Sequence, residues 1–116
     1  MFITDKIWEH LLPAVETTNE GMAREDFEKG IQDGNYKLFT NNKSSALTAS
    51  YNSILRVGLA GGDLESLKEI EKKIVNYAKK RKYKYIDILG RKGWEKVLNG
   101  YNKKAVLLRK EIAWVL

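Results

Sequence analysis

The sequence predicts an α/β (α+β) domain in which a mixed but mostly antiparallel sheet is flanked by helices. Three short segments rich in β-favouring residues follow one another closely at residues 36–40, 45–51 and 54–60, which predicts an antiparallel meander. Apolar residues then repeat at intervals of three and four from Leu64 to Ala78, as in an amphipathic helix. A further strand-like segment follows at residues 83–89, and a helix between two strands makes a crossover in one sheet.

Two shorter helices are predicted before the strands. Residues 7–15 place apolar side chains at helical spacing, and Pro13 is expected to kink this helix or to start a new turn. Residues 24–32 predict the second helix, with Phe27 and Ile31 one turn apart on its buried side.

The long helix is predicted to cover residues 63–81. Asp63 is a favourable N-cap residue, and the Gly61-Gly62 pair before it is expected to break the preceding strand. Cations at residues 79–82 lie where they complement the dipole of the helix. The residues expected in the core are Leu67, Ile70 and Ile74.

The remaining elements are predicted from shorter patterns. The strand at residues 83–89 is expected to supply core side chains, Tyr85 among them. Residues 94–98 predict a short helix that contributes Trp94 to the core, and residues 105–112 predict the last strand.

Length and composition predict a single domain over residues 1–116. There is no cysteine, which excludes a disulfide, a thiolate metal ligand and a cysteine nucleophile. His10 is the only histidine, and it is expected on a helix surface rather than in a catalytic triad or a zinc site. No metal site is expected, because Glu25, Asp26 and Glu28 are interpreted as complements to a helix dipole.

The chain has no apolar run close to the roughly 20 residues of a membrane helix and no signal-peptide pattern at its start. It is therefore expected to be cytoplasmic and to have no membrane partner. Its net charge of +6 is unevenly distributed, because residues 68–116 carry 15 basic and 5 acidic side chains. The mixture of cations and tyrosines in residues 79–85 is compatible with nucleic-acid binding. A solvated helix end is the favoured interpretation, so nucleic acid is a possible but less favoured partner.

Residues 90–98, with the sequence GRKGWEKVL, form the most distinctive motif of the chain. Gly100-Tyr101 and residues 107–111 follow it, and Gly61-Gly62-Asp63 precede the long helix. Asp26, Gly34 and residues 36–39 also belong to the matching set. This set resembles a group of acetyltransferase-like proteins encoded by tailed phages, which are related to the Gcn5-related N-acetyltransferase (GNAT) fold. The resemblance covers roughly residues 22–112, and it implies a single GNAT-like domain that works in a bacterial host cell.

The resemblance also implies acetyl-CoA as a possible cofactor. Acetyltransferases of this fold bind its pyrophosphate on backbone amides of a loop that opens the long helix, where free N–H groups face the anion. This loop lacks the basic lead residue of the family, and Asp63 and Glu65 stand where phosphates would lie. We therefore expect that no cofactor binds tightly. The residues that would bind acyl-CoA, if it binds, are Val57, Gly58, Leu59, Ala60, Gly61 and Gly62.

Arg91 is the other candidate site residue. It stands between two glycines at the carboxyl end of a predicted strand, where open α/β sheets bind ligands, although a structural salt bridge is an equal alternative. The tyrosine that serves as general acid in the family has no counterpart, because its position falls near Lys96 or Val97. Tyr101 is interpreted as a core aromatic residue. No catalytic residue is identified.

Two functions remain open. The chain is either an acyl-CoA-dependent N-acyltransferase with a degenerate cofactor loop, or a non-catalytic phage protein that reuses the fold in assembly or host interaction. In the second case, the basic surface is expected to bind a macromolecular partner.

Overall fold

The computed structural model of the chain describes residues 3–18 and 21–88. These residues form helices and strands in the predicted order. The predictions for Arg91, for the helix at 94–98 with Trp94 and for the strand at 105–112 lie outside the described residues. The elements are α1 (Asp5–Thr18), α2 (Arg24–Gln32), β1 (Tyr36–Thr40), β2 (Ser44–Tyr51), β3 (Ile54–Gly62), α3 (Leu64–Lys80) and β4 (Tyr85–Ile88).

The strands form one mixed sheet in the order β1-β2-β3-β4. β1 pairs with β2 and β2 with β3 in antiparallel fashion, whereas β3 and β4 are parallel. α3 is the crossover connection that a parallel pair of strands requires. The predicted fold class, α/β with a mixed and mostly antiparallel sheet flanked by helices, is confirmed.

An apolar cluster lies on each face of the sheet. The cluster under α3 contains Ile74 together with Leu55, both at most 3% exposed. The cluster under α1 and α2 contains Leu11 and Phe27 together with Leu59. Residues of β3 belong to both clusters, so β3 is buried from both sides.

A β-bulge at Gly58 lets β3 contribute to both clusters. Leu47 of β2 lies opposite Leu59, whereas the next residue, Thr48, lies opposite Val57, so Gly58 is the extra residue of β3. Val57 and Leu59 would share a face in a regular strand, because side chains alternate. The bulge instead directs Val57 to the α3 cluster and Leu59 to the α1 cluster.

α3 begins and ends where the sequence predicts. Its predicted core residues Leu67, Ile70 and Ile74 are all buried, which confirms the assigned face. Leu64 belongs to the same predicted repeat but is 51% exposed. Leu64 occupies the first helical turn, and the buried stripe begins at Ser66 and Leu67.

The prediction that Gly61 and Gly62 break β3 is wrong, because the strand continues through both and pairs with Ser45 and Ser44 of β2. The glycines serve close packing instead. A Cβ atom on Gly61 would lie 1.8 Å from the carbonyl oxygen of His10, so α1 crosses β3 with no room for a side chain. Gly62 has a φ of 107°, which favours glycine.

Two further expectations are corrected. Tyr85 is not a core residue but is 62% exposed, whereas Ile86 and Ile88 pack against the α3 cluster. Successive strand residues point to opposite faces, so Tyr85 faces away from α3 when its neighbour Ile86 faces towards it. α1 starts no new turn at Pro13 but continues through it to Thr18.

An ion pair connects the two N-terminal helices. Arg24 at the start of α2 donates to the Asp5 carboxylate at 2.7 Å and also to the carbonyl oxygen of Ile3. The Asp5 carboxylate raises the pKa of the Arg24 guanidinium above its ordinary value. Asp26 caps α2 by accepting the Ala23 N–H at 2.8 Å, in keeping with its interpretation as a helix-start residue.

Candidate functional site

The predicted cofactor-binding residues 57–62 lie in β3 rather than in a loop. All of them except Gly58 have a partner residue in β2, and Val57, Leu59 and Ala60 are buried. Their backbone is therefore paired with β2 on one side. On the other side, the described pairing with β4 ends at Val57 and Ile88. Gly62 is exposed and leads into the start of α3.

The start of α3 carries its own negative charge. The Asp63 carboxylate accepts the backbone N–H of Ser66 at 3.0 Å, which is the capping interaction that the sequence predicts. Glu65 forms an ion pair with Lys68 at 3.3 Å in the same turn. An anion approaching this helix end would therefore meet two carboxylates and would compete with Asp63 for the Ser66 amide.

A cluster of hydroxyl and amide side chains joins the turn before β2 to the first turn of α3. Ser66 Oγ donates to Ser44 Oγ at 2.6 Å, and Ser44 Oγ donates to Asn41 Oδ1 at 3.1 Å. Asn41 Oδ1 also accepts the backbone N–H groups of Lys43 and Ser44, each at 2.9 Å. Asn41 Nδ2 donates to the carbonyl oxygen of Ser66 at 3.1 Å. The cluster satisfies its own polar groups and fixes the helix start against the sheet.

Replacing Asn41 with alanine is expected to lower the free energy of unfolding by about 1–2 kcal/mol, because the Ser44 groups would lose their acceptor in a buried position. Urea denaturation measures the change. Asn42→Ala is the matched control, since Asn42 is exposed in the same turn. Equal effects of the two substitutions would show that the Asn41 hydrogen bonds do not stabilise the fold.

His10 lies partly exposed on α1, and it also takes part in a polar contact that the sequence did not predict. Its Nδ1 lies 2.9 Å from Ser45 Oγ, and that oxygen lies 2.8 Å from Thr40 Oγ1. The contact follows from the packing at Gly61, because Gly61 is the β3 partner of Ser45 and touches the His10 backbone. Sequence reasoning missed it because His10 and Ser45 are 35 residues apart.

A serine beside a histidine is the pair that nucleophilic catalysis uses, but Ser45 is 0% exposed. A nucleophile must reach its substrate, and this hydroxyl is enclosed between α1 and the sheet. The pair therefore connects α1 to β2, and we assign it no catalytic role.

Cations and aromatic rings meet at the other end of α3. Lys37 Nζ lies 4.8 Å from the ring centroid of Tyr77, and the guanidinium carbon of Arg81 lies 5.5 Å from the same centroid. The Tyr77 ring also contacts the rings of Phe39 and Tyr83. These contacts hold the end of α3 against β1 and place the basic residues after it at the surface.

Within residues 3–18 and 21–88, no group of three or more histidine, cysteine, aspartate or glutamate side chains is arranged to hold a metal ion. The helices of this part of the chain are also too short or too polar to cross a membrane.

Comparison with known proteins assigns the chain to no family. No protein-family model matches it, and no curated protein or solved structure is significantly similar to it. Its function must therefore be inferred from its own residues and their geometry.

Proposed function

We propose that the chain is a non-catalytic, acetyltransferase-like phage protein that binds a macromolecular partner through its basic half, in assembly or in host interaction. The observation that carries the proposal is the cap of α3, where the Asp63 carboxylate accepts the Ser66 N–H at 3.0 Å. A helix start that is already complemented by a carboxylate is a poor site for the pyrophosphate of acetyl-CoA.

The electrostatic cost supports this proposal. At an effective dielectric constant of about 20, a carboxylate opposes a nearby phosphate charge by a kcal/mol or more. Asp63 and Glu65 both contribute, and the Lys68 ammonium offsets Glu65 at 3.3 Å. Arg56, the nearest preceding cation in the sequence, instead forms an ion pair with Asp87 at 3.6 Å.

Calorimetric titration with acetyl-CoA tests the proposal. We expect a dissociation constant no tighter than about 0.1 mM, which corresponds to about −5.5 kcal/mol. Asp63→Ser is the informative variant, because serine also caps helices well but carries no charge. We expect this variant to bind acetyl-CoA more tightly than the unaltered protein. Micromolar binding by the unaltered protein would contradict the proposal.

One observation favours the second candidate, an acyl-CoA-dependent N-acyltransferase. Gly58 is the unpaired residue of the bulge in β3, and apart from its two chain neighbours no described residue has an atom within 4 Å of where its Cβ would stand. Bulges with open backbone are frequent beside active sites. If the protein is an acyltransferase, Gly58→Val should abolish acetyl-CoA binding in the titration.

A further inference from the structure

Two exposed tyrosines lie in one row across the sheet. Tyr51 of β2 is opposite Ile54 of β3, and Ile54 is opposite Tyr85 of β4, so the three side chains share a face. This is the face that α1 and α2 cover further along the strands. At this end, Tyr51 is 52% exposed and Tyr85 is 62% exposed. The two rings belong to strands separated by one other strand, which places them about 10 Å apart.

Arg56 lies on the same face beside this row. Its guanidinium carbon is 4.8 Å from the centroid of the Tyr51 ring. Its only ion pair in the described part of the chain is a long one, 3.6 Å to Asp87, and its side chain is 35% exposed. The guanidinium therefore retains N–H donors for a further acceptor.

The turn between α3 and β4 adds a concentrated positive charge. Residues 79–84 include five cations and no acid, and all five are exposed. The ion pairs formed within residues 3–18 and 21–88 involve none of them. The turn lies against the row of tyrosines, because the backbone N–H groups of Lys84 and Tyr85 both donate to the carbonyl oxygen of Ser53.

At one position of this turn, Lys82 stands where glycine would make the fold more stable. The Tyr83 N–H donates to the Ala78 carbonyl and the Lys82 N–H to the Lys79 carbonyl, which is the Schellman motif. Lys82 occupies the left-handed position of the motif, with a φ of 61°. Glycine is the usual residue there, because a Cβ atom disfavours this conformation.

We propose that the tyrosine row and the cationic turn together bind single-stranded nucleic acid, with phosphates on the lysines of residues 79–84 and bases stacked on Tyr51 and Tyr85. This proposal rests on the proposed function and identifies the macromolecular partner as single-stranded nucleic acid. Both chemical parts of the ligand have a counterpart, since cations attract the phosphates and exposed aromatic rings stack unpaired bases. An acidic protein would match the cations but would leave the role of two exposed rings unexplained.

Fluorescence anisotropy with the full chain tests the proposal. The probes are labelled oligothymidylate and oligouridylate, a DNA duplex of the same length, and polyglutamate. We expect both single strands to bind more tightly than the duplex and polyglutamate. Between about 50 and 200 mM salt, the affinity should fall with a slope of roughly −0.7 for each phosphate contacted.

Three variants separate stacking from charge. Tyr85→Ala and Tyr51→Ala should each weaken binding of the single strands about 5- to 150-fold, the range expected for loss of one stacked base. Lys82→Gly should weaken binding and reduce the salt slope by roughly 0.7, although glycine fits the left-handed backbone conformation of this position better than lysine does. Lys43→Ala is the matched control, because Lys43 is exposed at the opposite end of β2 and should have no effect.

These measurements distinguish failure of the nucleic-acid proposal from failure of the proposed function. Equal binding of duplex and single strands, with no effect of the tyrosine variants, would overturn the proposal. Tighter binding of polyglutamate would overturn it too, but would leave a macromolecular partner for the basic half. Failure of all polyanions to bind would also overturn it. Micromolar binding of acetyl-CoA is measured independently and would contradict only the non-catalytic function.

Discussion

Replacing Gly61 with alanine is expected to destabilise the protein by about 3 kcal/mol, at the upper end of the range for overpacking. The added Cβ atom would lie 1.8 Å from the carbonyl oxygen of His10. The position of a Cβ atom is fixed by the backbone of β3, and its neighbour is a backbone carbonyl, so a change of side-chain rotamer cannot relieve the contact. α1 would have to move away from β3, which would also separate His10 from Ser45, now 2.9 Å apart.

Gly58→Ala provides the matched control in the same strand. Apart from its two chain neighbours, no described residue has an atom within 4 Å of the Cβ position at Gly58, and its φ lies outside the left-handed region. Its effect on the free energy of unfolding should therefore stay within about 1 kcal/mol, as for strand substitutions without a steric conflict. Urea denaturation of the two variants gives the comparison. If Gly61→Ala is as stable as Gly58→Ala, α1 does not cross β3 as described.

The elements that the sequence predicted well are those with strong local signals. α3 has a capping aspartate, an apolar stripe and terminal cations, and these agree with one another over Leu64–Lys80. Its position between two strand-like segments was enough to predict a mixed sheet. The antiparallel meander followed from the short connections between β1, β2 and β3.

The features that the sequence could not predict depend on contacts between distant residues. The Gly61-Gly62 pair looks like a strand break in the sequence, but in the structure Gly61 lets α1 pack closely against β3. Nothing local distinguishes the two cases, because both require residues without a Cβ atom. The bulge at Gly58 is a similar case, because it is defined by the register against Leu47 and Thr48.

The candidate site was predictable in part. The N-cap role of Asp63 could be derived from its position before the apolar repeat, and its hydrogen bond to Ser66 confirms it. The exposure of Tyr85 was missed, although strand alternation contained the signal. Asp87 lies on the same face two residues later, and a charged residue there indicates a face open to solvent.

Replacing Ile74 with alanine is expected to lower the free energy of unfolding by about 2–5 kcal/mol, the usual cost of removing a large aliphatic side chain from a core. Ile74 is 3% exposed and lies in the α3 cluster with Leu55 and Val57. The cavity would form between α3 and the central strand, and β3 is held by α1 on its other face, so the walls have little freedom to close. We therefore expect a value in the upper half of the range.

Lys73→Ala is the matched control for Ile74→Ala, because Lys73 is the preceding residue on the exposed side of α3. Alanine is at least as good a helix former as lysine, so this variant should change stability by less than about 0.5 kcal/mol. Urea denaturation of both variants, with the slope of the transition compared to confirm a common unfolded state, measures the difference. A change below about 0.5 kcal/mol for Ile74→Ala would mean that α3 turns a different face to the sheet. The crossover that makes β3 and β4 parallel neighbours would then lack the packing that holds it.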